Sequence, residues 1–145
     1  MEFNLFDVYR DRKITKRITS NKGKYRVLKS RNIGNQEIIN IKGYDSFVDS
    51  LEGLSVAKYI GRTDCILVPN LTYNPRGCRM PENCIADGSV AILTLKDKDT
   101  VITDKDLDFW ASEEFRRFYC IARNRGTRSL NIDNNSVFFF GKIHK

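Results

Sequence analysis

Histidine is almost missing from the chain: one, His144, stands beside the C-terminus of 145 residues. A single imidazole nearly excludes histidine-based triads and many-histidine metal sites. Cysteine is sparse as well, at positions 65, 78, 84 and 120. No Cys-x-x-Cys pair occurs, and Cys78-x5-Cys84 is loose for the tight turn of a zinc site. The four are expected as ordinary reduced thiols, buried or half-buried. Glycine never gathers into a dinucleotide fingerprint or a P-loop. Asp104-x-Asp106-x-Asp108 imitates the opening of a calcium loop, but Phe109 stands where glycine is needed and Phe115 where the bidentate glutamate belongs. A metal-dependent nuclease would place a carboxylate two residues before a strand lysine, and Lys96 is preceded there by Thr94. Apolar runs are short, Val137–Phe140 being among the longest, far below the ~18 residues of a membrane span. Met1-Glu2-Phe3-Asn4 has no basic stretch followed by an apolar one. The expectation is a cytoplasmic protein without membrane partners, and a binder rather than a catalyst.

What is present argues for a packed domain. Hydrophobic residues make up 41% and aromatics 11%, too many for a disordered chain. The length fits one domain spanning residues 1–145, able to bury about 68–70% of its unfolded surface. The net charge is +7, and it is concentrated. Residues 11–31 hold nine bases (Arg12, Lys13, Lys16, Arg17, Lys22, Lys24, Arg26, Lys29, Arg31) against Asp11 alone. A second cluster, Arg116, Arg117, Arg123, Arg125 and Arg128, has no acid between its members. Basic clusters on an otherwise neutral domain are the footprint of a polyanion binder. On Arg116 and Arg117 the competing use is pairing with Glu113 and Glu114 along a helix.

The pattern predicts a strand over Tyr25–Ser30, a turn at Ser30–Asn35, and a return strand over Glu37–Ile41. Residues 44–59 read as loop with a short helix. Cys65–Val68 reads as a buried strand stopped by Pro69, and Ser89–Leu95 as another. All three prolines lie between 69 and 81, so residues 70–83 read as one long stiffened polar loop. Thr103 can cap a helix carrying Asp104, Asp106 and Asp108 in its first turn, with apolar residues at Leu107, Trp110, Ala111, Phe115, Phe118 and Ala122. Ser112 before Glu113-Glu114 suits a restart, giving two helices, and Gly126 a stop. A last strand is expected over Leu130–Gly141. The fold class is therefore α+β: one mixed domain with a twisted antiparallel or mixed sheet, or a partial barrel, a C-terminal helix pair and a closing strand. Trp110, Phe115, Phe118 and Phe138–Phe140 are expected in the core.

Four segments together resemble a known family. Tyr25-Arg26-Val27-Leu28-Lys29-Ser30-Arg31-Asn32-Ile33-Gly34 is similar to the strand-and-turn opening of target-recognition domains from restriction–modification systems. Asp64-Cys65-Ile66-Leu67-Val68-Pro69-Asn70 resembles their apolar strand running into a polar loop. Phe109-Trp110-Ala111-Ser112-Glu113-Glu114-Phe115-Arg116 resembles their helix corner, and Gly126-Thr127-Arg128-Ser129-Leu130-Asn131-Ile132 their lead into the closing strand. Order and spacing carry the likeness, over residues 14–143. The long helices that join paired domains in type I specificity subunits are missing, so the resemblance is closer to C-terminal specificity domains of type II adenine-specific DNA methyltransferases. The chain departs from complete enzymes of that kind in lacking their Asn/Asp-Pro-Pro-Tyr/Phe motif, the nearest match being Asn74-Pro75-Arg76-Gly77.

The resemblance implies sequence-specific recognition of double-stranded DNA. An adenine-methylating catalytic domain or subunit would be the partner and would hold S-adenosylmethionine. This chain alone would have no cofactor, no metal and no catalytic residue, and residues 1–12 would be what remains of a linker to the catalytic part. Backbone phosphates would fall to Lys13, Lys16, Arg17, Lys22 and Lys24, with Arg125, Thr127 and Arg128 beside them. Base readout would fall first to Tyr73, Asn74, Arg76 and Arg79 on the stiff loop, then to Arg31 and Asn32, since arginine suits guanine and asparagine adenine. For Asn32 and Asn74 the competing role is capping a turn. Two further readings stay open: a sequence-indifferent RNA or single-strand binder, and a subunit that docks on a methyltransferase through protein contacts.

Overall fold

A computed structural model describes residues 5–14, 17–62, 64–70, 75–97, 99–126 and 140–141, with side chains up to Tyr119, at Ile121 and at 140–141. It shows a mixed α+β domain of two sheets and two helices, neither sheet closing into a barrel. The first sheet has four strands in the order β1 (Phe6–Tyr9), β7 (Val90–Leu95), β4 (Cys65–Pro69), β5 (Cys78–Arg79), every pair antiparallel. The second has three, β3 (Ser46–Val48), β2 (Tyr25–Leu28) and β6 (Cys84–Ala86), with β2 antiparallel to β3 and parallel to β6. Helices α1 (Asp104–Trp110) and α2 (Glu113–Gly126) follow.

The central strands explain the layering. Every residue of β4 is buried, the mark of a strand covered on both faces. Alternation sends Cys65, Leu67, Val90 and Ile92 into one core with Val27, Leu28, Ile33 and Ile85 of the second-sheet side. It sends Ile66, Val68, Ala91 and Leu93 into another core with Leu107, Trp110 and Phe115 of the helices. Trp110 Nε1 donates to the Gly141 carbonyl at 2.8 Å, and Phe140 packs edge-on against Trp110 with centroids 5.1 Å apart. The helix pair forms as the sequence predicts. Thr103 Oγ1 accepts from Asp106 N at 3.3 Å while Asp106 Oδ2 accepts from Thr103 N at 2.8 Å, a reciprocal cap. Ser112 Oγ accepts from Phe115 N at 3.1 Å and restarts the chain as α2.

Several expectations are corrected. Residues 6–9, for which the sequence predicts no element, form edge strand β1, and Phe6 is buried against Trp110 at 5.7 Å. Glu37–Ile41 is not the return strand. It makes only a single-residue antiparallel bridge, Ile38 to Ile33, closed by Gly34 N to the Glu37 carbonyl at 2.9 Å and Ile39 N to the Asn32 carbonyl at 2.7 Å. The Ile39 carbonyl accepts from Asn32 Nδ2 at 2.9 Å, and β2 pairs with β3. The strand expected over Cys65–Val68 runs one residue further and ends at Pro69, which itself pairs with Val90. Residues 70–83 are not one polar loop, since Pro75, Gly77 and Cys78 are buried and β5 pairs with β4. Phe118 keeps 36% of its surface exposed. The closing strand expected at 130–141 falls almost wholly outside the described residues. No described helix is long and apolar enough to cross a membrane.

Candidate nucleic-acid interface

The corner after β2 is built around one side chain. Asn32, in the 3-10 turn Ser30–Asn32, is fully buried. Its Oδ1 accepts from Lys29 N at 3.0 Å, and its Nδ2 donates to the Ile39 carbonyl at 2.9 Å and to Asp45 Oδ1 at 2.7 Å. Its own main chain closes the turn, N donating to the Lys29 carbonyl at 2.8 Å and O accepting from Ile39 N at 2.7 Å. Three of the four hydrogen-bonding positions of the amide are used inside the fold, and the side chain is fully buried. Asn32 therefore holds the corner and has no face left for an adenine edge, a correction to its expected role.

The neighbouring turn supplies an aromatic ring. Tyr44 N and Asp45 N both donate to the Ile41 carbonyl at 3.1 Å, and Gly43 at its tip has φ +80°, a conformation that favours glycine. Asp45 Oδ2 accepts from Ile41 N at 3.0 Å and pairs with Arg26 at 3.1 Å. With Asp45 engaged in this way, the other cations of the corner are left in surplus. Lys29 Nζ lies 3.9 Å from the centre of the Tyr44 ring and donates to the Tyr44 carbonyl. The Arg31 guanidinium carbon lies 4.9 Å from the same centre, and Arg31 N approaches the Tyr44 hydroxyl at 3.4 Å. Lys42 is exposed on the same turn. None of Lys29, Arg31 and Lys42 forms an ion pair with a carboxylate among the described residues.

The proline-rich segment is fastened to this corner at both of its described ends. Before residues 71–74, Asn70 N donates to the Ser89 carbonyl at 2.9 Å, and Ser89 Oγ accepts from Ser30 N at 3.0 Å. After them, Arg76 Nε donates to the Ile33 carbonyl at 2.6 Å and its NH2 reaches the Ser30 carbonyl at 3.5 Å. Burial pushes the Arg76 guanidinium below its ordinary pKa, yet arginine stays a cation at any physiological pH. Arg76, expected at a base edge, thus has its Nε turned inward as a tie. Tyr73 and Asn74 lie outside the described residues.

Arg79 is carried away from the corner by strand alternation. Cys78 enters the core between the sheets, whereas Arg79 points to the helix side, donating to the Ile102 carbonyl at 2.8 Å and pairing with Asp104 at 3.1 Å. It lines clefts of about 400 and 340 Å³ on that side, each containing an acid as well. Of the expected phosphate contacts, Lys13, Arg17, Lys22 and Lys24 are exposed. Lys13 Nζ reaches the Gly53 carbonyl at 3.2 Å, and Lys24 Nζ lies 5.4 Å from the centre of the Tyr25 ring. Lys16, Thr127, Arg128 and the Arg125 side chain lie outside the description. Arg116 and Arg117 both pair with Glu113, at 3.1 and 3.3 Å.

The three described thiols are buried and take no part in this surface. Burial pushes Cys65 up to about 11 and Cys78 up to about 12, and raises Cys84, so each stays protonated and a poor nucleophile near neutrality. Sequence reasoning named Arg31 but missed Lys29, Lys42 and Tyr44 as site residues. The available signal was Lys42-Gly43-Tyr44, a basic residue and an aromatic flanking a turn glycine. In comparisons with known proteins, the chain matches no protein-family model and no curated sequence.

Proposed function

We propose that this chain recognises double-stranded DNA by sequence, as the specificity part of an adenine-methylating restriction–modification enzyme. Catalysis and S-adenosylmethionine would belong to a separate domain or subunit, in the cytoplasm. The observation that supports this reading best is the corner itself. Lys29 and Arg31 lie at the Tyr44 ring and Lys42 is exposed on the same turn, none with an acid partner among the described residues, at a corner made rigid by a buried asparagine. Surplus positive charge on a rigid scaffold suits a polyanion whose geometry is being tested, because phosphates position a protein and fixed side chains read base edges. The exposed Lys13, Arg17, Lys22 and Lys24 extend the supply of phosphate contacts.

Selection from a randomised duplex pool at about physiological salt tests the proposal. Enrichment of one short motif is the expected result. Salt-sensitive binding without a motif, or preference for RNA or single strands, would replace it with an indifferent nucleic-acid binder. Absence of any nucleic-acid affinity would leave the protein-docking reading.

A further inference from the structure

We infer that Arg31 is the guanine-reading residue of the corner and that Tyr44 is the positioning residue that makes it one. The inference rests on the DNA-recognition reading above and names the group that would carry its specificity. Arg31 is the exposed member of a turn whose next residues, Asn32, Ile33 and Gly34, are all buried. Its backbone is held by the Asn32 network, so the side chain starts from a fixed point. The guanidinium then lies over the Tyr44 ring at 4.9 Å, and no carboxylate among the described residues competes for its donors.

An arginine held against an aromatic face keeps its planar fork and loses less rotamer freedom on binding. Such restraint adds little at a phosphate, where a flexible lysine serves as a point charge, and Lys29 and Lys42 are on hand for that. It matters where two donors must meet two acceptors in one plane, as at guanine O6 and N7. The second cation at the ring, Lys29 at 3.9 Å, spends one of its three donors on the Tyr44 carbonyl and keeps the others for a phosphate, whereas Arg31 carries the planar fork that a guanine edge requires.

Duplex selection with the unchanged chain, Arg31→Lys, Tyr44→Leu and Tyr44→Phe provides the test, with thermal unfolding recorded for each. The unchanged chain is expected to select a motif containing a G·C pair. In Arg31→Lys and Tyr44→Leu, preference at that pair should fall about tenfold or more while the rest of the motif and the salt slope persist. Tyr44→Phe keeps a ring and should keep the preference. Arg31→Lys is a surface change, so it reads the proposal even if Tyr44→Leu fails to fold. A uniform loss over all duplexes, with an unchanged motif, would make Arg31 a phosphate contact and overturn the inference alone. No motif from the unchanged chain would remove the DNA reading and this inference together.

Discussion

Arg76 Nε donates to the main-chain oxygen of Ile33 at 2.6 Å, so the far side of the proline-rich segment is tied to the corner that displays Arg31. Arg76, expected to touch DNA, thereby joins its segment to the Arg31 corner, while Arg79 of the same segment faces the helix side.

Removing that tie should cost stability before it costs specificity. Arg76→Ala leaves the Ile33 and Ser30 carbonyls short of a charged donor, and a loss of about 1–3 kcal/mol is expected. Arg76→Lys should recover little, since one ammonium cannot reproduce a fork. Urea unfolding of the three proteins at neutral pH measures it. A fully stable Arg76→Ala would mean that the guanidinium is dispensable to the fold.

Asn32→Ala should be worse. It strips partners from Lys29 N, the Ile39 carbonyl and Asp45 at a fully buried position, and about 2–4 kcal/mol is expected. Asn32→Asp should not rescue, because a carboxylate cannot donate to Ile39 or to Asp45. Equilibrium denaturation decides the size, and a change below about 0.5 kcal/mol would contradict the role given to Asn32.

Gly88 lies where a side chain has no room. A Cβ there would stand 2.5 Å from the main-chain oxygen of Asp11, so Gly88→Ala must shift backbone and should cost about 1–3 kcal/mol. A melting curve indistinguishable from that of the unchanged chain would show that the two segments separate easily.

Alkaline pH should destabilise the fold through its thiols. Cys65 and Cys78 hold their protons up to about 11 and about 12, against 9.0 for a free thiol. Their contribution is whole below about pH 9. Above it, the unfolded chain sheds protons that the native state keeps, so stability falls as pH rises towards 11. Each buried thiol adds at most roughly 1.4 kcal/mol per pH unit to that fall. Urea titrations at rising pH should show a shallower decline for Cys78→Ala, and equal slopes would contradict the assignment.

On the DNA side, Lys29→Ala and Lys42→Ala should each reduce the salt slope of binding by about one, with no change in the selected motif. Fluorescence anisotropy over a salt series reads this directly, and an altered motif would move either lysine from phosphate to base.

What was legible in the sequence were features that a residue declares locally. Thr103 and Ser112 announce their helices because a cap is a short-range hydrogen bond, and β4 and the first four residues of β7 announce themselves because strand residues covered on both faces form an apolar run. The strands missed, β1, β3, β5 and β6, are two to four residues long, and their pairing depends on distant partners rather than on their own composition. Glu37–Ile41 carries strand-forming residues, yet its pairing stops at one bridge, Ile38 to Ile33, beyond which Asn32 Nδ2 and Arg26 NH2 take the Ile39 carbonyl. The site divided in the same way. Arg31 could be named from charge, but its ring partner lies thirteen residues away and becomes visible only when the turn at Gly43 folds back.

The two sheets draw their strands alternately from the chain, one taking β1, β4, β5 and β7 and the other β2, β3 and β6. Because β2 finds its parallel neighbour only at β6, a growing polypeptide cannot complete the Arg31 corner until the ribosome has passed Ala86. Synthesis from the N-terminus offers no early, self-sufficient half. The domain should therefore assemble late and slowly, as topologies governed by long-range pairing do, and a nascent chain halted before β6 should be degraded rather than bind.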